Sequence, residues 1–318
     1  MNGLEIHHKG KGRVLVIGAA GLDIIGRLSA SPEPGSSIPA DVKPSFGGVA
    51  RNVAENLAHL GLSVDLISAV GDDPFGKLLL DHTASAGVTI NSCILLPHEH
   101  TASYLAVLGP EGKLDFALDD MQILKQITPD YIKSLEDHFE QADLVFLDAN
   151  LNPKTMRTVF KLAQKAHVPV CADATSVNLA PRLKPYLKRL FLLTANTYES
   201  TVLVNHEFVV SDRQSAMQAA RYLVNQGVNF AFIPMAEFGV CYATSETSGH
   251  IPAIKTTIVG STGAGDALTA TILFGLMNDI SIDEAVRLGV SAASLTLRHP
   301  ATVVPDLSLE KLYDHLVI

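Results

Sequence analysis

The segment TGAGD, residues 262–266, places two glycines and an alanine directly before an aspartate. The apolar run ALTATILFGLM that follows predicts a helix. Small residues at a helix start leave backbone N–H groups uncovered, so Gly263, Ala264 and Gly265 indicate an anion site. Asp266 would then lie beside the anion, where a carboxylate is useful as the base for an attacking hydroxyl. The alternative is an ordinary helix start with small residues for close packing.

A second stretch, PSFGGVARNVAENLA, contains candidate polyol-binding residues. Gly47 and Gly48 precede a predicted helix and allow a ligand to approach the backbone, while Asn52 in its first turn can donate and accept hydrogen bonds. Asp23, after the first predicted strand, is a candidate bidentate acceptor for two sugar hydroxyls. The alternatives are a tight turn before a helix and an Asx-turn at a strand end.

Polar residues also lie at the ends of later predicted strands, namely Asp148, Asn150, Asp173 and Asn196. In a parallel sheet these ends share one edge, where ligands bind, so we expect the four side chains to face one crevice. Asn196 and Glu199 are three residues apart and could share the water shell of a Mg²⁺ ion, which needs few protein ligands. The same spacing is also a helix-capping pattern.

Strands and helices alternate along the chain, which predicts a parallel sheet covered by helices on both faces. The predicted strands span 13–20, 63–71, 143–150, 168–174, 189–196 and 228–236. The predicted helices span 51–61, 72–87, 152–167, 213–227, 265–278 and 282–298. We see no linker or internal repeat, and predict one domain over residues 1–318.

Two insertions, residues 23–46 and 93–119, lack helical periodicity. The second reads as strands around a Gly-Pro-Glu-Gly turn. Both follow early strands, so we expect them to form a small β-sheet lid that excludes water from the crevice.

The composition limits the class of partner. The net charge is −9 and no basic block occurs, which argues against a nucleic-acid surface. The three cysteines are dispersed, as expected of a protein in a reducing compartment, and no apolar run is long enough to span a membrane. These features predict a soluble cytoplasmic protein.

Taken together, the motifs resemble the ribokinase-like (PfkB) family of carbohydrate and nucleoside kinases over nearly the whole chain. The resemblance implies a three-layer α/β/α fold with a β-sheet lid, transfer of phosphate from ATP with Mg²⁺, and a homodimer formed through the lid. It implies that Asp266 is the base and that the amides of Ala264 and Gly265, after Gly263, form the anion hole. The other implied roles are substrate binding by Asp23, Gly47, Gly48, Asn52 and Asn150, nucleotide binding by Asn196, Gly239 and Gly265, and metal binding by Glu199.

Within that family, GGVARN, TASYLAVLGPEGKLDFALDDMQI and CADATS most resemble the pseudouridine kinases. The resemblance implies a kinase for the 5′-hydroxyl of pseudouridine, with a small-molecule substrate and neither nucleic acid nor a membrane as partner.

Two stretches depart from the family pattern. Pro234 and Ala236 stand where the family has Ser/Thr and a first glycine near the nucleotide phosphates, and only Gly239 remains. Proline lacks the N–H donor and alanine restricts φ. The family pattern also raises a monovalent cation as a cofactor, and the pair Gly260-Ser261, where Asp or Asn is common, weakens that expectation.

Three alternatives follow. One is another ribokinase-like kinase, for a free sugar or a different nucleoside. A non-catalytic sugar or nucleoside sensor is suggested by the altered phosphate turn. A nicotinamide dehydrogenase is disfavoured because Gly18-Ala-Ala-Gly21 is not the dinucleotide fingerprint and no helical pattern follows it.

Overall fold

The structure is a computed structural model that describes residues 12–31, 35–111, 114–260 and 262–316. The strands in these ranges are β1 (Arg13–Ile17), β2 (Gly21–Leu28), β3 (Ala40–Gly47), β4 (Ser63–Ile67), β5 (Ala69–Gly71), β6 (Ile94–Leu96), β7 (Ala102–Leu108), β8 (Leu114–Asp120), β9 (Leu144–Asp148), β10 (Val170–Asp173), β11 (Leu190–Thr194), β12 (Phe230–Pro234), β13 (Val240–Ala243) and β14 (Ser248–Ile251). The helices are α1 (Val49–His59), α2 (Pro74–Ser85), α3 (Pro129–Ser134), α4 (Glu136–Gln141), α5 (Pro153–Ala166), α6 (Thr197–Leu203), α7 (Arg213–Asn225), α8 (Ala264–Met277), α9 (Ile282–Leu297) and α10 (Leu309–Leu316).

The large sheet has the strand order β14-β13-β12-β11-β10-β9-β1-β4. From β4 through β1, β9, β10 and β11 to β12, neighbouring strands of this sheet pair in parallel. β13 pairs antiparallel with both β12 and β14. The continuous apolar sequences of β1, β9 and β11 suit this position, because a parallel strand covered by helices is buried on both faces.

The core lies in two layers, one on each face of the sheet. Alternate residues of β1 separate into them, since Leu15 and Ile17 pack with α5 and α7, while Val14 and Val16 pack with α1, α8 and α9. The predicted α/β arrangement with helices on both faces is therefore confirmed.

A second sheet of order β3-β2-β7-β8 lies outside the large one. Asp23 on β2 is opposite Ser45 on β3 and Tyr104 on β7, and Tyr104 is opposite Asp119 on β8. Residues directly opposite each other project from the same face, so this face carries a row of polar side chains. The four strands of this sheet come largely from the two predicted insertions. β6, which also lies in the second insertion, instead pairs with β5 in a separate two-stranded sheet.

Two predictions about the early strands need correction. The predicted strand 13–20 ends at Ile17, and the chain continues as β2 at Gly21, without the helix that a dinucleotide-binding turn requires. The predicted strand 63–71 is divided into β4 and β5, which lie in different sheets.

No helix in the part of the chain that the structure describes is long and apolar enough to cross a membrane.

Candidate active site

At the start of α8, one glycine has no room for a side chain and a second has free space beside it. Gly263, the N-cap residue, has φ 86, and a Cβ there would collide with the carbonyl oxygen of Thr302, so only glycine fits. Ala264 is the first helical residue. At Gly265 a Cβ would meet nothing within 4 Å. The backbone at Gly265 thus faces free space at a helix N-terminus, which is an environment for an anion.

Asp266 lies in the first turn of α8 and is joined to α1. The Asn52 side-chain nitrogen donates to Asp266 Oδ2 at 2.7 Å. Burial raises the pKa of Asp266 to about 7, the hydrogen bond from Asn52 opposes this shift, and the charge of Asp23 adds to it. A carboxylate with a pKa near neutrality is suited to accept a proton at the pH of the cell.

Asp23 and the two glycines form a compact group beside Asn52. Asp23 is 8% exposed, and burial raises its pKa to about 6 while Arg51 acts in the opposite direction. A Cβ at Gly47 would overlap the Asp23 carboxylate, and a Cβ at Gly48, with φ 94, would overlap the carbonyl oxygen of Ala19. The two glycines therefore make room for the Asp23 carboxylate and the Ala19 carbonyl group, in addition to any ligand that approaches their amides.

The expectation that all four polar strand ends face the crevice is wrong for Asp148. This side chain is fully buried and accepts hydrogen bonds from the backbone nitrogens of Ala19 (2.7 Å), Ala50 (3.1 Å) and Asn150 (2.9 Å). Asp148 thus ties the turn after β1 and the start of α1 to the end of β9. Asn150 is partly exposed, and its carbonyl oxygen accepts from Arg182 at 3.0 Å.

Asn196 and Glu199 form a capping box at the start of α6. Asn196 Oδ1 accepts from the Glu199 nitrogen at 3.0 Å, and Glu199 Oε2 accepts from the Asn196 nitrogen at 2.8 Å. The capping interpretation of this spacing is confirmed. Burial raises the pKa of Glu199 to about 7.

Asp173, at the end of β10, is close enough to this capping box for its charge to interact with that of Glu199. Burial raises the pKa of Asp173 well above its ordinary value, and the charges of Glu199 and Asp266 raise it further. Such repelling carboxylates fit a divalent cation held through water, because Mg²⁺ retains several water ligands. Among the described residues, no three His, Cys, Asp or Glu side chains form a direct metal-binding group.

The turn from β12 to β13 keeps an unusual backbone without the expected glycine. Ala236 has φ 49, in the left-handed region that alanine rarely adopts, and Pro234 ends β12 opposite Val240. Gly239 has φ 91 and packs against the backbone of Ile251. The pair Gly260-Ser261, which bears on a monovalent cation, includes Ser261, which lies outside the described residues.

Sequence reasoning did not single out two buried residues of this site, Arg51 and Thr302. Arg51 is 1% exposed and Thr302 is 2% exposed, and they are hydrogen-bonded to each other at 2.8 Å. The Arg51-x-x-x-Glu55 spacing, in which the two side chains lie one helical turn apart, was the available indication of an ion pair. Nothing in the sequence around Thr302 marks it, because its partners are remote in the chain.

Comparison with known proteins gives consistent results. Residues 11–308 match the family model described as pfkB family carbohydrate kinase. A pseudouridine kinase from Escherichia coli (strain K12) is 32% identical over 94% of this chain and 95% of that protein. A guanosine-inosine kinase from Exiguobacterium acetylicum is 28% identical over 89% of this chain and 93% of that protein.

A solved structure agrees with this result. The structure of Arabidopsis thaliana ribokinase complexed with ribose and ATP has a TM-score of 0.83 and 21% sequence identity, and the match covers 97% of this chain and 100% of that one. The predicted ribokinase-like fold, with a smaller sheet beside the large one, is confirmed.

Proposed function

Because this chain belongs to the pfkB family of carbohydrate kinases, we propose that it transfers phosphate from ATP to the 5′-hydroxyl of pseudouridine. The family makes it a phosphotransferase that acts on a hydroxyl group of a sugar or nucleoside. The 32% identity to a pseudouridine kinase over almost the full length supports the narrower substrate.

The observation that carries the proposal is the Asp266 carboxylate, held by Asn52 next to the open backbone of Gly265. Asp266 accepts the proton of the 5′-hydroxyl, and the amides of Ala264 and Gly265, at the turn formed by Gly263, bind negative charge on the transferred group. When bound, ATP supplies the phosphoryl group and Mg²⁺ offsets part of its charge.

The ribose is assigned to the group around Asp23. The Asp23 carboxylate and the Asn52 amide bind its hydroxyls beside the backbone of Gly47 and Gly48, and Asn150 contributes from the end of β9. The second sheet is the lid over this pocket. Tyr104 and Asp119 share the face of the lid that carries Asp23, so they are assigned to the base of the nucleoside.

The nucleotide is assigned to the other side of the α8 start. Gly265 and Asn196 bind its phosphates, Gly239 supports the turn beside them, and Glu199 holds Mg²⁺ through water. Dependence on ATP is consistent with a cytoplasmic location.

A homodimer through the lid is part of the same proposal. The lid face opposite Asp23 exposes large apolar side chains, with Leu118 62% exposed, Val42 57% and Phe116 51%. An apolar face of this kind suits an interface between two copies of the chain.

A different sugar or nucleoside is the second candidate substrate, and the similarity to a guanosine-inosine kinase favours it. The test is an assay of ADP release with Mg-ATP and one of pseudouridine, uridine, guanosine, inosine, ribose or fructose, with the phosphorylated product identified by mass. We expect kcat/KM for pseudouridine to exceed the others by about 10-fold or more, corresponding to one good discriminating contact. Turnover of another substrate alone would overturn the substrate assignment, and binding of nucleoside without turnover would favour the sensor.

A further inference from the structure

Arg51 is a fully buried cation at the centre of the candidate site. It donates from Nε to the Gly47 carbonyl oxygen at 3.1 Å and from a terminal nitrogen to the Phe46 carbonyl oxygen at 2.6 Å. Thr302 Oγ1, at 2.8 Å, and Asn52 Oδ1 also accept from this terminal nitrogen, whose two N–H groups are therefore shared among three acceptors. A guanidinium has five N–H donors and no acceptor, so every contacting atom must be an acceptor.

That requirement fixes the orientation of the Asn52 amide. The atom that faces Arg51 must be the oxygen, because an NH₂ group there would oppose another donor. The side-chain nitrogen of Asn52 is then directed at Asp266 Oδ2, 2.7 Å away. The hydrogen bond to the candidate base therefore depends on a residue that does not contact the base itself.

Arg51 also joins the start of α8 to the end of β3 through Thr302. The Thr302 hydroxyl accepts from Arg51 and donates to the Phe46 carbonyl oxygen at 2.6 Å. The Thr302 carbonyl oxygen occupies the space in which a Cβ at Gly263 would lie. Movement of Thr302 would thus displace the turn that precedes Asp266.

Glu55, one helical turn after Arg51, holds the guanidinium in place. Glu55 is 2% exposed and its Oε2 forms an ion pair with Arg51, while Oε1 lies 3.1 Å from His82 and 3.7 Å from His59. Burial acts to raise the pKa of Glu55, but the neighbouring His59, Arg51 and His82 together outweigh it, so the pKa is lowered overall. Glu55 therefore remains ionised beside the buried cation.

We propose that Arg51, anchored by Glu55, is a positioning residue that directs the Asn52 amide at Asp266 and fixes Thr302 beneath the start of α8. The proposal rests on the proposed function, because it requires Asp266 to act as the base. It separates the two buried polar neighbours in the GGVARN motif into a binding residue, Asn52, and the residue that orients it.

The charges around Asp266 give this role a signature that a purely structural role lacks. Arg51 is the positive neighbour that lowers the pKa of Asp266, whereas the carboxylates of Asp23 and Asp148 raise it, and Asp266 in turn raises the pKa of Asp173. Loss of the cation therefore raises the pKa of Asp266 further. Because the base must be ionised, the pH below which activity is lost should be higher in a variant without the cation.

The test uses Arg51→Met, Arg51→Lys and Glu55→Gln in the full chain, with Arg13→Met as a matched control. Arg13 also pairs with a buried carboxylate, Asp65, but at the opposite end of β1. We expect kcat to fall about 10²-fold in Arg51→Met, as for a misplaced catalytic group, with a smaller change in KM. The acid limb of its pH profile should move to higher pH, whereas Arg51→Lys keeps the charge and the limb but loses kcat. Arg13→Met should lower stability alone.

Glu55→Gln keeps the shape of the anchor and covers the case in which Arg51→Met does not fold. We expect Glu55→Gln to lower kcat by about 10-fold, the value of one hydrogen bond to a charged group. Normal kcat in folded Arg51→Lys and Glu55→Gln, or an unmoved acid limb in folded Arg51→Met, would overturn the positioning role while wild-type turnover upholds the proposed function. Absence of phosphorylation by the wild type with every substrate would instead overturn the proposed function itself.

Discussion

The side-chain nitrogen of Asn52 lies 2.7 Å from Asp266 Oδ2, which links the first turn of α1 to the first turn of α8 across 214 residues of sequence. This hydrogen bond stabilises the ionised form of a carboxylate whose burial favours the neutral form. The opposition between these two effects sets the chemistry of the candidate site, because a base must be ionised and yet hold a proton readily.

The first prediction concerns the pH dependence of kcat/KM. Asp266, with a pKa of about 7, must be ionised, so kcat/KM should fall as the pH decreases through about 7. Asp23, with a pKa of about 6, should steepen the fall at lower pH, because protonation weakens it as an acceptor for two hydroxyls. The profile is measured with saturating Mg-ATP and limiting nucleoside. A flat profile between pH 5 and pH 8 would contradict the assignment of Asp266.

The second prediction separates the capping role of Glu199 from its proposed role in holding Mg²⁺. Glu199→Gln retains the bond from the Asn196 backbone nitrogen, but it removes the charge and the oxygen that accepts from the Asn196 side-chain nitrogen at 2.7 Å. We expect a small loss of thermal stability and about a 10-fold rise in the Mg²⁺ concentration for half-maximal activity, corresponding to one lost charge–water contact. An unchanged Mg²⁺ requirement would restrict Glu199 to capping.

The third prediction concerns recognition of the base by the lid. Pseudouridine has a free N1–H donor that uridine lacks, and the Asp119 carboxylate is an acceptor on the face that carries Asp23 and Tyr104. Asp119→Asn should reduce the preference for pseudouridine over uridine by about 10-fold, the value of one charged hydrogen bond. Ratios of kcat/KM measure the effect. The neighbouring Asp120→Asn, at the alternate position of β8, is the control and should leave the ratio unchanged.

The fourth prediction concerns the altered turn after β12. Ala236 adopts φ 49, so Ala236→Gly should relieve strain and raise the free energy of unfolding by about 0.5–1 kcal/mol. Ala84→Gly in the exposed last turn of α2 is the control and should lower it by at most about 0.5–1 kcal/mol, since glycine is less favourable than alanine in a helix. Urea denaturation compares the two. Destabilisation by both substitutions would show that the left-handed backbone at Ala236 carries no strain.

Most of the strands and helices could be predicted from local patterns. Asp73 and Asn152 were identifiable as N-caps because each precedes a proline at the first helical position, and the structure has both caps. The division of 63–71 between two sheets could not be predicted, because both halves are equally apolar and only their pairing partners distinguish them.

The candidate site was predictable where a motif is local and not where partners are remote. The role of the Gly263–Asp266 segment could be predicted because the start of a helix that binds an anion has a characteristic composition. The prediction for Asp148 was wrong because a carboxylate at the end of a strand gives the same sequence pattern whether it faces a ligand or three backbone N–H groups. Arg51 and Thr302 meet only in the folded chain, 251 residues apart, and no local pattern indicates that contact.

The most direct test of the account is a paired measurement on the wild type and Asp266→Asn at pH 8: kcat with pseudouridine and Mg-ATP, and the Kd of pseudouridine by calorimetry. We predict that kcat falls by roughly 10²-fold or more while Kd stays nearly constant, because the substitution removes the base and keeps an acceptor for the Asn52 amide. Asp266→Asn should also be more stable at that pH, since the stability associated with a raised carboxyl pKa is lost as the pH rises through about 7 and an amide has no such loss. A folded Asp266→Asn protein with nearly normal kcat would remove Asp266 from the mechanism and contradict the account.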